Sequence, residues 1–201
     1  MVFPTSVLER VGMFQGINFK WDKYINNIML PDVIRFKYRN EVEEDPSFKQ
    51  IIPYVIIESG GNVLHYTRGK QSGEKRLVSK ESIGIGGHVC DKDDSIFHNE
   101  LNHMWEIYKT ALEREVFEEI NIETTYQEKI IAVLNDDSDS VGQVHFGIIH
   151  LWRLEKPSVS KREQKITQIE FMKPEELLKR TNLLENWSSI CVGKLNMILN
   201  F

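Results

Sequence analysis

Cysteine is scarce in this sequence, where Cys90 and Cys191 are the only two among 201 residues. Two cysteines cannot build the disulfide framework that stabilises small secreted domains, so we expect a reducing, cytoplasmic setting. Cys90 could be a reactive thiol, although a small buried thiol is the more common use of such a residue.

Long apolar runs and a strong charge imbalance are also absent. No stretch approaches the length of a membrane-spanning helix, and residues 1–6 lack the charged region and apolar core of a secretory signal. The net charge of −5 gives no reason to expect binding to nucleic acid or to a membrane. The composition, 41% hydrophobic and 27% charged, is typical of a globular protein, and the length predicts one domain over residues 1–201.

What the sequence does contain is a run of acidic residues on a predicted helix. Apolar residues recur at the spacing of a helix with one buried face, at Trp105, Tyr108, Leu112, Val116 and Ile120. Glu115, Glu118 and Glu119 stand at i, i+3 and i+4, so they share one side of the last turns. Glu119 projects about 20° from Leu112, which predicts a carboxylate at the edge of the buried face.

This arrangement is costly for a helix. Glu115 and Glu119 are like charges four residues apart, and the helix dipole disfavours anions near the C-terminus. Arg114 can pair with Glu118, but one arginine cannot neutralise three acids. The run is therefore either a solvated acidic face or a set of ligands for a divalent metal, which carboxylate oxygens bind well.

The residues around this run resemble the signature of the Nudix hydrolases. That signature is a glycine, five residues, a glutamate, seven residues and then Arg-Glu-apolar-any-Glu-Glu-any-Gly-apolar. Glu106 and the stretch that begins at Arg114 follow the second half of the pattern, with one departure at Asn121. The glycine half, at Gly86 and Gly87, matches only if an insertion at about residues 91–105 is allowed.

Both departures have physical consequences. Asn121 stands where the family has glycine, just past the predicted helix end, and asparagine tolerates the left-handed conformation that is common there. The insertion leaves the acids on their helix, but we expect it to reshape the mouth of the pocket. Residues 135–145 resemble a subgroup of Nudix proteins described only as predicted phosphoesterases, and the likeness covers most of residues 45–150. Residues 1 to about 50 would then be an N-terminal extension.

The resemblance implies a fold and a metal site. The fold is α/β, an α/β/α sandwich with a mixed sheet, which also fits the predicted order of strands and helices. The carboxylates of Glu115, Glu118 and Glu119, with the carbonyl of Gly86, would hold Mg²⁺ or Mn²⁺. Catalytic roles are implied for four residues, namely Glu118, Glu115, Arg114 and Glu106. Among them, Arg114 would orient Glu118. Glu106 would have a structural role or would support the metal ligands from outside, rather than act directly in catalysis.

Other candidates lie outside the motif. Arg68 and Arg76 flank a basic segment that is either a surface loop or a set of phosphate contacts, for which arginine is well suited. Glu163 and Glu170 fall where the family often has a further acid that completes the metal site or acts as base. His88 is either a pocket residue or a hydrogen-bonded structural histidine, and we favour the second.

The expected function is metal-dependent hydrolysis of a phosphoanhydride, in a nucleoside diphosphate linked to another group or a related organic pyrophosphate. The partner is then a small phosphate-containing substrate, and a homodimer is left open. One alternative is a Nudix-fold module that binds a nucleotide or protein without cleavage. Another is an isoprenyl diphosphate isomerase, for which Cys90 would be the candidate cysteine. A calcium loop at residues 136–139 is rejected, because the required glycine and closing glutamate are missing.

Overall fold

The computed structural model describes the protein at residues 1–69, 80–93, 103–162 and 166–201. The strands within these ranges are β1 (Val2–Pro4), β2 (Gly16–Asn18), β3 (Phe48–Ser59), β4 (Asn62–Arg68), β5 (Glu81–Ser82), β6 (Gly84–Gly86), β7 (Ile120–Ile122), β8 (Tyr126–Asn135), β9 (His145–Leu154), β10 (Val159–Lys161) and β11 (Ile166–Met172). The helices are α1 (Ser6–Val11), α2 (Trp21–Ile28), α3 (Arg39–Val42), α4 (His103–Glu119), α5 (Pro174–Leu178), α6 (Asn186–Val192) and α7 (Leu195–Leu199). Among the described residues, no helix is long and apolar enough to cross a membrane.

Nine of the described strands form one sheet. Its main order is β11-β4-β3-β9-β8-β2, with β1 and β6 also paired to β3 and β5 paired to β4. β7 and β10 form a separate two-stranded sheet. The fold is therefore α/β with a large mixed sheet, which confirms the class predicted from the sequence.

The hairpin between β3 and β4 follows from its two glycines. Gly60 and Gly61 have φ values of 59° and 83°, and a turn with two residues at positive φ matches the twist of paired strands. Glu58 then pairs with Val63. The apolar, β-branched runs on either side of Ser59-Gly60-Gly61 predict a hairpin from the sequence alone, and the structure confirms it.

Helix α4 buries the predicted apolar face, since Tyr108, Leu112 and Val116 are at most 1% exposed. The helix ends at Glu119, and β7 begins at the next residue. Asn121 lies in β7 and pairs with Ser160 of β10. The left-handed cap predicted for Asn121 is therefore wrong, because pairing with a distant strand takes this residue into an extended conformation.

The chain divides into two compact units. The first comprises Met1–Tyr54, Gly86–Glu113 and Ala132–Ile149. Its core contains Phe3 and Phe146, whose rings meet edge to face with centroids 5.3 Å apart. Edge-to-face packing is a favoured geometry for two aromatic rings.

The second unit comprises Val55–Ile85, Arg114–Ile131 and His150–Phe201. Its core contains Trp152, which is fully buried and stacks on Tyr126 at a centroid distance of 4.3 Å. The single domain over residues 1–201 stays a prediction.

Candidate active site

The acidic residues of the motif lie together at the end of α4, in the second unit. We call Arg114, Glu115, Glu118 and Glu119 the acid turn. Arg114 Nη1 lies 2.8 Å from Glu115 Oε1 and 3.7 Å from Glu118 Oε2. The predicted pairing of Arg114 with Glu118 is present, but Glu115 is the nearer partner. One guanidinium thus serves two of the three carboxylates.

The three carboxylates differ in their exposure to solvent. The Glu118 side chain is 48% exposed and the Glu115 side chain 19%, whereas Glu119 is buried at 9%. Burial of Glu119 agrees with its predicted position at the edge of the apolar face. A buried carboxylate stays charged only where its surroundings stabilise the charge.

The chemistry of this donor set fits a hard divalent cation. Ionised carboxylates only accept hydrogen bonds, and Mg²⁺ and Mn²⁺ prefer such oxygens. In the described part of the chain, however, no group of three or more His, Cys, Asp or Glu side chains is arranged to hold a metal ion. Metal binding by the acid turn would therefore require its flexible glutamates to turn away from Arg114 toward a common point. The metal role of these residues stays a prediction.

A buried polar network in the same unit contains Arg68. Its Nε donates to Glu185 Oε2 at 3.0 Å, and Ser82 Oγ donates to Glu185 Oε1 at 2.7 Å. Burial raises the pKa of the Tyr66 phenol, and the negative charges of Glu119 and Glu185 add to the rise. The network is thus electrostatically linked to the buried acid of the acid turn.

This network changes the interpretation of Arg68. Its pKa is raised, first by Tyr66 and then by Glu185 and Glu119, against the opposing effect of burial. A guanidinium paired to a buried carboxylate is a structural cation in this conformation. The phosphate contact predicted for Arg68 stays a prediction. Arg76, the second predicted contact, lies outside the described residues.

The Glu81 carboxylate of the same unit has a partner at each oxygen, and we call His65, Glu81 and Arg180 the Glu81 cluster. His65 Nε2 lies 2.9 Å from Glu81 Oε2, and Arg180 donates to both carboxylate oxygens through Nε and Nη2. The bonds from Arg180 are the main cause that lowers the pKa of Glu81, and burial opposes them. Glu170 pairs with His65 across β4 and β11, with its Oε1 at 3.8 Å from His65 Nδ1. Glu163, the other candidate acid, lies outside the described residues.

Gly86 and Glu106 belong to the first unit. A Cβ atom at Gly86 would lie 2.0 Å from the carbonyl oxygen of Pro53, so glycine is required there for close backbone packing. Glu106 is half-buried in the first turn of α4, where an acid is favourable to the helix dipole. Its predicted structural role has a physical basis here, and the metal contact of the Gly86 carbonyl stays a prediction.

His88 is a hydrogen-bonded histidine, as we favoured. Its Nε2 lies 3.1 Å from His145 Nε2, and His145 Nδ1 lies 2.7 Å from the carbonyl oxygen of Val141. Because a carbonyl only accepts, His145 donates through Nδ1 and receives the Nε2 proton of His88. Burial lowers the pKa of His88 to about 3, with the charge of Arg39 as the next cause. His88 is therefore neutral at ordinary pH.

The acidic loop after β8 has structural partners. Asp137 Oδ1 accepts from Nζ of Lys49, a side chain only 1% exposed, and Lys49 also donates to the carbonyl oxygen of Gly142 at 2.8 Å. Asp139 accepts from the main-chain nitrogen of Gly142 at 2.7 Å. These bonds connect the acidic loop to β3 and to the turn that precedes β9.

No family model matches the chain. Protein YmaB of Bacillus subtilis is 35% identical over 190 residues, which cover 90% of this chain and 88% of that protein. The crystal structure of Tm1382, a candidate Nudix hydrolase, is 30% identical, with a TM-score of 0.77 and coverage of 98% and 97% of the two chains. The Nudix domain of NrtR from Shewanella oneidensis, solved with ADP ribose, has a TM-score of 0.54 at 10% identity, over 75% of this chain and 88% of that one.

The fold and the motif together define a hydrolase of the Nudix type. The chain belongs to the Nudix hydrolase family, because it covers nearly the whole of Tm1382 at this identity. The family resemblance inferred from the sequence is confirmed, and with it the predicted fold.

Proposed function

We propose that the protein is a metal-dependent hydrolase that cleaves a phosphoanhydride bond in a nucleoside diphosphate linked to another group, or in a related organic pyrophosphate. The observation that carries this proposal is the acid turn. Three carboxylates share the last turns of one helix with a single arginine between two of them. Family membership supports hydrolysis of this bond in general.

Glu115, Glu118 and Glu119 would hold Mg²⁺ or Mn²⁺. A bound ion of this kind supplies charge stabilisation on the phosphoryl oxygens and makes water a better nucleophile at neutral pH. Arg114 lies 2.8 Å from Glu115 and 3.7 Å from Glu118, so it keeps these two side chains close to the helix end until a metal takes its place as their partner. Catalysis then depends on positioning and electrostatics rather than on a covalent intermediate.

The acid set weighs against the binding module without cleavage. Repulsion among three carboxylates is a cost that a module binding only through other surfaces would not need to carry. Cys90, the residue required by the isomerase alternative, is exposed to solvent, so the buried thiol that we expected as its more common use is wrong. We therefore retain hydrolysis as the proposed activity.

The test is a screen of nucleotide sugars, dinucleoside polyphosphates and nucleoside triphosphates with Mg²⁺, reading the phosphate-containing products. The expected result is turnover of at least one nucleoside diphosphate derivative that stops when EDTA removes the metal. Binding of a nucleotide without any product would favour the non-catalytic module. Turnover that continues at the same rate after EDTA is added would contradict the proposed role of the metal.

A further inference from the structure

The C-terminal end of α4 is held by one residue from a distant part of the chain. The main-chain nitrogen of Arg162 donates to the carbonyl oxygen of Glu119 at 2.9 Å. Its side chain donates through Nη1 to the carbonyl oxygen of Phe117 at 2.8 Å. Both acceptors are among the last four carbonyls of a helix, which have no partner within the helix itself.

A short sheet places Arg162 at this position. Lys161 of β10 pairs with Ile120 of β7, the residue that follows the helix end directly. The main-chain nitrogen of Glu123 donates to the carbonyl oxygen of Ser158 at 3.0 Å. We call residues 158–162 the helix strap. Because β7 continues α4 without a turn, the strap fixes the end of the helix from outside it.

Arg162 also supplies a positive charge that the last turn of α4 lacks. The last turn of α4, which the structure describes in full, contains no basic residue. A cation at this end is favourable to the helix dipole, whereas the glutamates there are not. Helical side chains lean toward the N-terminus, so the carboxylates point away from the end that Arg162 binds. Arg162 therefore acts on the main chain beneath the acids.

We propose that Arg162 is a positioning residue, which fixes the main chain of Glu118 and Glu119 so that their carboxylates can bind a divalent metal. The inference rests on the proposed function of the acid turn. Helix ends open before helix centres do, and Glu118 and Glu119 are the last two residues of α4. Loss of the strap contacts would displace these two acids first.

The test compares R162Q with R153Q in the full-length protein. Arg153 is a matched control, since its guanidinium also donates to the carbonyl at a helix end, that of Leu199 in α7, and pairs with Glu58 at 3.1 Å. Three quantities are measured: amide hydrogen exchange over residues 116–122, Mn²⁺ affinity by electron paramagnetic resonance, and the Mg²⁺ concentration for half-maximal turnover. Exchange and Mn²⁺ binding do not depend on knowing the substrate.

We expect R162Q to exchange faster at the helix end and to bind Mn²⁺ about tenfold more weakly, while R153Q matches the wild type in both. R162K should recover part of the Mn²⁺ affinity. If R162Q does not fold, R162K takes its place in the comparison with R153Q. Wild-type exchange and Mn²⁺ affinity in R162Q, or an equal change in R153Q, would overturn the inference. A wild type that binds Mn²⁺ but hydrolyses nothing would contradict the proposed function alone, and one that binds no Mn²⁺ would overturn both.

Discussion

Two carboxylate clusters of the second unit are built on opposite principles. In the Glu81 cluster, one buried carboxylate has an arginine and a histidine as partners. In the acid turn, one arginine pairs with two of the three carboxylates, and the more exposed of these two, Glu118, lies 3.7 Å from it. The first arrangement places an arginine and a histidine around one carboxylate, and the second gathers three carboxylates on the last turns of one helix.

The difference separates a stabilising contact from a binding site. A carboxylate that is paired and hydrogen bonded lowers the free energy of the folded state, so its substitution destabilises the protein. A cluster with excess like charge raises that energy, and a cation that binds the folded state compensates for it. Stability and activity should therefore respond in opposite ways to the same substitution in the two clusters.

The largest stability effect is expected from Glu81→Gln. Removing the charge leaves Arg180 and His65 with a weaker acceptor, which should cost about 2 kcal/mol of unfolding free energy. Glu118→Gln should change it by less than about 0.5 kcal/mol, or raise it slightly, because repulsion falls. Urea denaturation of both variants without metal checks this. An equal loss of unfolding free energy in the two variants would contradict the difference between the two clusters.

The contribution of Glu81 should also depend on pH. Its pKa in the folded protein is lowered below the usual 4.5, chiefly by the bonds from Arg180. The stabilisation is therefore fully present above about pH 4.5 and lost as the pH falls through the folded-state value. The difference in unfolding free energy between wild type and Glu81→Gln should shrink as the pH falls below about 4.5. A difference that persists unchanged to pH 3 would show that the ion pair is not its source.

Divalent metal should stabilise the acid turn selectively. Saturating Mg²⁺ or Mn²⁺ relieves repulsion that exists only when the acids are brought together, and we expect the melting temperature of the wild type to rise by about 3 °C. The rise should persist in Glu81→Gln and be smaller in Glu118→Gln. Thermal melts with and without metal make the measurement. The same rise in all three proteins would place the metal elsewhere.

The smallest effect concerns Asn121, two residues after the acid turn. Because Asn121 lies in β7 rather than in a left-handed cap, a β-branched residue suits its conformation. Asn121→Val should change the unfolding free energy by less than about 0.5 kcal/mol. A loss well above 1 kcal/mol would restore the left-handed conformation predicted from the family pattern.

The sequence predicted the features that local spacing determines. The apolar period placed Tyr108, Leu112 and Val116 on a buried face, and Gly60-Gly61 marked the hairpin, as the structure confirms. The acids were found the same way, because residues three and four apart on a helix are neighbours.

Contacts between residues far apart in the chain leave no such local pattern in the sequence. Arg180 and Glu81 are 99 positions apart, and Arg162 is 45 positions from the carbonyl that it binds. Strands as short as β7 and β10 have too few residues to show alternation, so their pairing depends on tertiary structure. For the same reason Arg68 was assigned from its charge alone, without its partner Glu185.

The central claim, that the acid turn binds a catalytic metal, is tested most directly by turnover of Glu118→Gln. The measurement is Mg²⁺-dependent product formation from the best substrate found in the screen, with Glu81→Gln as a control at a temperature where both variants are folded. We expect turnover in Glu118→Gln to fall by roughly two orders of magnitude or more, because charge stabilisation of the transition state is lost. Glu81→Gln should keep most of its activity. A folded Glu118→Gln protein with full metal-dependent activity would contradict the claim.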